Sequence, residues 1–115
     1  MKRWFAIVLV LLSGCVSAPP EADLQYVKQA RSLAAEWALI NEQAAEGRLI
    51  PPYVATMREW LRDGLETASK SLTDPDSAYG GEIHALLNEP PNAAPGELRA
   101  HVERLKHIED QLESA

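Results

Sequence analysis

The sequence predicts an all-α fold: a small antiparallel helical bundle of three long helices and one short one. Three observations carry this expectation. Apolar residues recur at spacings of three and four over long stretches. Proline, glycine and Asp-Pro signals separate those stretches where helices would start and stop. No run of alternating apolar and polar residues competes for a strand.

Ahead of the bundle stands MKRWFAIVLVLLSGCVSAPP. Lys2 and Arg3 give it a positive start, Trp4 to Leu12 form an unbroken apolar run, and Ser13 and Gly14 are small. As a helix, the uncharged residues from Trp4 to Val16 would rise roughly 20 Å, short of a hydrocarbon core of about 30 Å. The pattern therefore describes an export signal that is cut off, not a lasting span. Its ending, Leu12-Ser13-Gly14-Cys15, closely resembles the lipobox of bacterial lipoproteins. The resemblance implies cleavage between Gly14 and Cys15, a diacylglyceryl group on the Cys15 thiol and acylation of the new amino group. Residues 1–14 are then the removed signal peptide, 15–20 the lipidated cysteine and tether, and 21–115 the helical domain. Two or three acyl chains anchor durably where one is marginal. By the sorting rule of the same family, Val16 and Ser17 after the cysteine imply the outer membrane, with the domain facing the periplasm. The tether, Val16 to Pro20, reaches roughly 15–25 Å when extended, which keeps the domain close to its membrane.

The first helix is expected from Glu21 to Glu46. Tyr26, Ala30, Leu33, Trp37, Ile40 and Ala44 fall on one face, and Val27, Ala34, Ala38 and Ala45 widen it with mostly small side chains. Glu21 and Asp23 suit the positive end of the helix dipole, and Gly47 is placed as the C-terminal stop. Arg48 to Pro52 is a turn whose prolines start the second helix, which runs to about Leu72. Its stripe is Val54, Met57, Leu61, Leu65, Ala68 and Leu72, with Tyr53, Trp60 and Gly64 along one edge. Glycine inside a helix costs about 1 kcal/mol against alanine, so Gly64 is expected to receive a large side chain such as Trp37. Thr73 to Ser77 is a turn, Tyr79-Gly80-Gly81 is loose, and Glu82 to Asn88 forms the short helix, burying Ile83, Leu86 and Leu87. Asn88 to Pro95 is an ordered loop or linker. The last helix runs from Pro95 to about Glu113, with Leu98, Val102, Leu105, Ile108 and Leu112 inward.

Composition narrows the function classes. Removing residues 1–14 from 115 leaves 101, one domain by length. The single cysteine carries the lipid in this reading, so a disulfide framework, a cysteine zinc site and a thiol nucleophile fall away together. The formal charge of −6 becomes −8 without Lys2 and Arg3, because residues 1–14 hold no Asp or Glu. An acidic surface argues against nucleic acid, whose phosphates require lysine and arginine clusters.

Candidate chemical groups have plainer readings. Glu97 and His101 are four apart, as are Glu103 and His107, but no two histidines share a face, so no metal site is expected. His101 reads as a boundary residue hydrogen-bonded at the rim. Glu59 and Asp63 alternate with Arg58, Arg62 and Glu66 on a solvated, salt-bridged face. Ser69, Ser71 and Ser77 lie in no nucleophile-elbow context, and no glycine pattern cradles a phosphate. The chain is therefore read as no enzyme and as needing no cofactor. The one candidate interaction patch is Leu49, Ile50, Tyr53 and Trp60, which would form a groove for a partner helix or peptide if they merge.

The leading expectation is a lipid-anchored envelope protein that binds another envelope component, in secretion or transport assembly. In size, lipobox and helical content it is broadly similar to the all-helical secretion pilotins, lipoproteins that escort secretin subunits to the outer membrane. The intramolecular disulfide of some pilotins cannot form here. The peptidoglycan-linked lipoprotein of enteric bacteria fits less well, since its terminal lysine has no counterpart in Glu113-Ser114-Ala115. The alternative is a small-ligand-binding or enzyme-inhibitor lipoprotein using a bundle cavity or the Asn88 to Pro95 loop.

Overall fold

A computed structural model describes residues 19–114, with side chains from residue 22 onward. Cys15 and the signal segment lie outside these residues. The described chain is four helices: α1 (Pro19–Ala45), α2 (Pro51–Ser71), α3 (Ala78–Leu87) and α4 (Pro95–Ser114). No helix among them is long and apolar enough to cross a membrane. The expected bundle of three long helices and one short one is what forms.

α1 is the hub, packed against α2 on one side and α4 on the other, with α3 bridging α2 and α4. Its most buried line is Val27, Ala30, Ala34, Trp37 and Ala38, displaced toward the alanines from the expected stripe, while Tyr26, Ile40 and Ala44 are only half-buried. The physical reason is that two long helices press on α1, and the small side chains permit the closest approach. Leu61, Leu65, Ile83, Leu86, Leu98 and Leu105 complete the core, each fully buried. A side chain of this kind stabilises by about 1.5–3 kcal/mol when removed from water.

Charge fixes the register of α1 against α4. Lys28 pairs with Glu113 at 3.0 Å, Arg31 with Glu109 at 2.5 Å, and Glu42 with Arg99. From the first pair to the last, α1 advances from 28 to 42 while α4 retreats from 113 to 99, the signature of antiparallel packing. A parallel arrangement would set Lys28 and Arg31 toward Arg99, and Glu42 toward Glu109 and Glu113. The charges along this seam are thus complementary in the antiparallel arrangement and would clash in the parallel one.

α1 ends as expected. Gly47 has φ +72°, its N–H donates to Ala44 O at 3.1 Å, and the Arg48 N–H donates to Gln43 O at 3.0 Å. This is the Schellman closure that glycine permits.

Three expectations are corrected. Pro19 and Pro20, assigned to the tether, open α1, where the missing proline N–H costs nothing. Tyr79, Gly80 and Gly81 are not loose. They form the first turn of α3, capped by Ser77 Oγ, which accepts from the Gly80 N–H at 3.1 Å. Gly80 is there because a Cβ would stand 2.2 Å from Pro75 O, so only hydrogen lets the turn before α3 close over it. Gly64 receives Leu33 and not Trp37: a Cβ at position 64 would lie 2.9 Å from Leu33 Cδ1. Trp37 instead faces the loop between α3 and α4.

Candidate functional site

The predicted patch divides by exposure. Leu49 is half-buried in the turn before α2, whereas Ile50, Tyr53 and Trp60 are 68%, 45% and 58% exposed. Ile50 is the N-cap residue of α2, and Tyr53 follows in its first turn. Trp60 is seven residues beyond Tyr53, so both lie on one side of the helix, roughly 10 Å apart along its axis. Half-buried Met57 falls between them. Apolar side chains thus run along this edge of α2 from its start to its middle.

The opposite flank of α2 faces the 88–95 loop. Prolines at 90, 91 and 95 give this loop carbonyls without matching amide donors, and side chains supply the deficit. Pro91 O accepts from the Trp37 indole N–H at 2.9 Å and from Asn41 Nδ2 at 3.1 Å. Asn41 Nδ2 also donates to Ala93 O at 2.8 Å, and Asn41 Oδ1 accepts from Arg58 Nε at 2.9 Å. Arg62 donates to Leu87 O at 2.9 Å, closing the end of α3. The loop is ordered, as expected, and Asn41 is its organising residue. Between loop and helix lies a groove of about 370 Å³ lined by Trp37, Ala55, Arg58, Glu59, Arg62 and Pro91.

His101 is not a rim residue. It is buried, with Nδ1 2.9 Å from Glu82 Oε1 and Nε2 2.8 Å from Glu89 Oε2. Arg104 adds a 2.6 Å bond to the same Glu82 oxygen. Arg104 Nη2 also stands 3.2 Å from Nδ1, so both ring nitrogens are engaged by charged side chains. The rim expectation fails because Glu82 of α3 and Glu89 of the following loop close over the two ring nitrogens. The two carboxylates occupy opposite edges of the imidazole and do not converge on one point. Among the described residues no group of three His, Cys, Asp or Glu side chains is arranged to hold a metal. His107 and His84 are exposed, and His107 makes a 3.4 Å contact with Gln111.

One polar cluster was missed. Asp23, expected only as a favourable charge near the helix start, is fully buried. Its Oδ1 accepts from the Thr73 N–H at 2.8 Å, and its Oδ2 from the Asp74 N–H at 3.1 Å and the Tyr79 hydroxyl at 2.6 Å. Burial pushes this carboxyl up, but the bonds from Tyr79, Thr73 and Asp74 together outweigh it and hold it below its ordinary range. Burial and the Asp23 carboxylate push the Tyr79 phenol up. The cluster fastens α1 to the turn between α2 and α3. A signal existed: positions 23, 27, 30 and 34 have helical spacing, which puts Asp23 in line with the buried stripe.

Compared with family models, with curated proteins and with solved structures, the chain matches none.

Proposed function

We propose that this chain is a lipid-anchored protein of the bacterial envelope, held at the outer membrane through acyl chains on Cys15, that acts by binding another envelope protein. The contact surface is the edge of α2 with Leu49, Ile50, Tyr53 and Trp60. The observation that carries the binding surface is the exposure of Trp60 and Tyr53 on one side of one helix. Tryptophan and tyrosine supply large apolar area at low entropic cost and dominate interface energetics when covered. The apolar partner that suits such a row is an amphipathic helix or an extended peptide.

Two further features support the reading. The lipobox sequence Leu12-Ser13-Gly14-Cys15 gives the address, and only Val16, Ser17 and Ala18 separate Cys15 from the start of α1, a reach of about 10 Å. The buried polar side chains Asp23, Asn41, His101 and Glu109 are all engaged in structural bonds, which favours recognition over catalysis.

The test is crosslinking in intact envelopes, followed by pulldown of the lipidated chain and mass spectrometry. A specific envelope protein should be recovered with the natural chain and lost with Trp60→Ala, whose helix signal should be unchanged. Labelled palmitate should enter the natural chain but not Cys15→Ser. An unlabelled natural chain, or equal recovery with Trp60→Ala, would overturn the reading.

A further inference from the structure

Six arginines lie among the described residues, and five have a carboxylate within ion-pair distance: Arg31, Arg48, Arg62, Arg99 and Arg104. Arg58 has none. Its one side-chain bond is to the neutral amide oxygen of Asn41. This is unusual company for a half-buried guanidinium in a chain with 17 acidic and 11 basic residues. The bond also fixes it. Asn41 is itself held by two loop carbonyls, so the Arg58 Nε edge is committed, and among the described residues its two Nη groups have no acceptor. No buried side-chain nitrogen among the described residues lacks a partner, so those Nη groups are open to solvent. They belong to a residue lining the groove, beside Trp37, Ala55 and Pro91.

We propose that this groove is a binding site for a monoanionic carboxylate with an apolar body, the carboxylate received by the Nη groups of Arg58 and the body lying against Trp37, Ala55 and Pro91. A guanidinium fork matches a carboxylate in two parallel bonds, and an orientation fixed in advance lowers the cost of binding. The volume lies within the range of small-ligand sites. Charge selects against multiply charged anions. Glu59 lines the groove, Arg62 is engaged with Glu66 and Leu87 O, and the chain as a whole is acidic. The same chemistry is offered by the terminal carboxylate of a peptide and by a free small acid. By helical periodicity this flank of α2 is opposite the Tyr53–Trp60 edge, so the two sites stand or fall separately.

The experiment is an NMR titration of the detergent-solubilised full chain, reading the indole N–H signal of Trp37, assigned by its loss in Trp37→Phe. N-acetyl-L-phenylalanine should shift it saturably, with half-saturation at least tenfold lower than its uncharged amide. A matching response to 3-phenylpropionate supports a site for carboxylic acids in general. A response to the peptide-like acid alone supports a site for chain ends. Arg58→Gln keeps a donor for Asn41 and should abolish the preference for acid over amide. Should that variant lose its fold, Ala55→Phe, at an exposed position, should fill the groove and block the shift. Equal affinity for acid and amide in the natural chain, or an unchanged shift in Ala55→Phe, would overturn the proposal.

Discussion

Tyr79 donates its hydroxyl to Asp23 at 2.6 Å inside the protein, joining the first turn of α3 to the second turn of α1 across 56 residues of sequence. Because this carboxyl is held below its ordinary range in the fold, its contribution is present above the unfolded value near 3.9 and is lost as pH falls through the folded value. Tyr79 runs the other way. Its phenol is raised, so its contribution is present below about pH 10 and lost as pH rises through the folded value. Tyr79→Phe should cost about 1 kcal/mol at neutral pH and flatten the alkaline limb of stability. Asp23→Asn should cost about 1–3 kcal/mol and flatten the acid limb, measured by urea unfolding from pH 2 to 11.

Gly80 and Gly64 should respond differently to alanine. At position 80 the new methyl meets the backbone of Pro75, which cannot yield without moving the turn, so a loss of about 3 kcal/mol is expected. At position 64 it meets the end of the Leu33 side chain, which can shift, and the gain in helix propensity of about 1 kcal/mol offsets the crowding. Thermal unfolding of the two variants side by side checks this.

The α1–α4 seam should show its charge logic in a cycle. Arg31→Glu leaves buried Glu109 facing a like charge and should cost about 2 kcal/mol, discounted because Arg31 is half-exposed. Adding Glu109→Arg should recover most of the loss, and the coupling should shrink in high salt. Replacing exposed Lys28 by methionine should change stability by less than about 1 kcal/mol.

The tryptophans of α1 and α2 should separate structure from surface. Trp37 is buried and pins the loop through its indole N–H, so Trp37→Ala should cost about 3–5 kcal/mol. Trp60, more than half exposed, should cost less than about 1 kcal/mol when truncated. Chemical denaturation of both variants gives the comparison.

Periodicity made the helices legible, and turn chemistry made most of their ends legible: Gly47 after α1 and the prolines at 51 and 95 mark boundaries that the fold keeps. The start of α3 was not legible. A glycine pair reads as a break, and only the approach of the Pro75 carbonyl explains why glycine is needed inside a helix. The surroundings of His101 were not legible either, because Glu82 and Glu89 come to it from 19 and 12 residues away in the chain. Trp60 and Tyr53 were placed on the edge of their stripe by spacing alone, and they are exposed there. The groove beside Arg58 had no linear signature, because it is assembled from Trp37 of α1, four residues of α2 and Pro91 of a loop about 20 residues beyond the end of α2.

The hub position of α1 has a mechanical meaning. For a chain tethered through Cys15 as proposed, a pull enters at Pro19, where the packing of α2 and α4 on α1 and the ion pairs of the α1–α4 seam oppose it. The Asp23 fastening sits about one turn inside the entry point, where it stops the end from unravelling. In a chain tethered as proposed, tension on the first helix is therefore shared among many contacts.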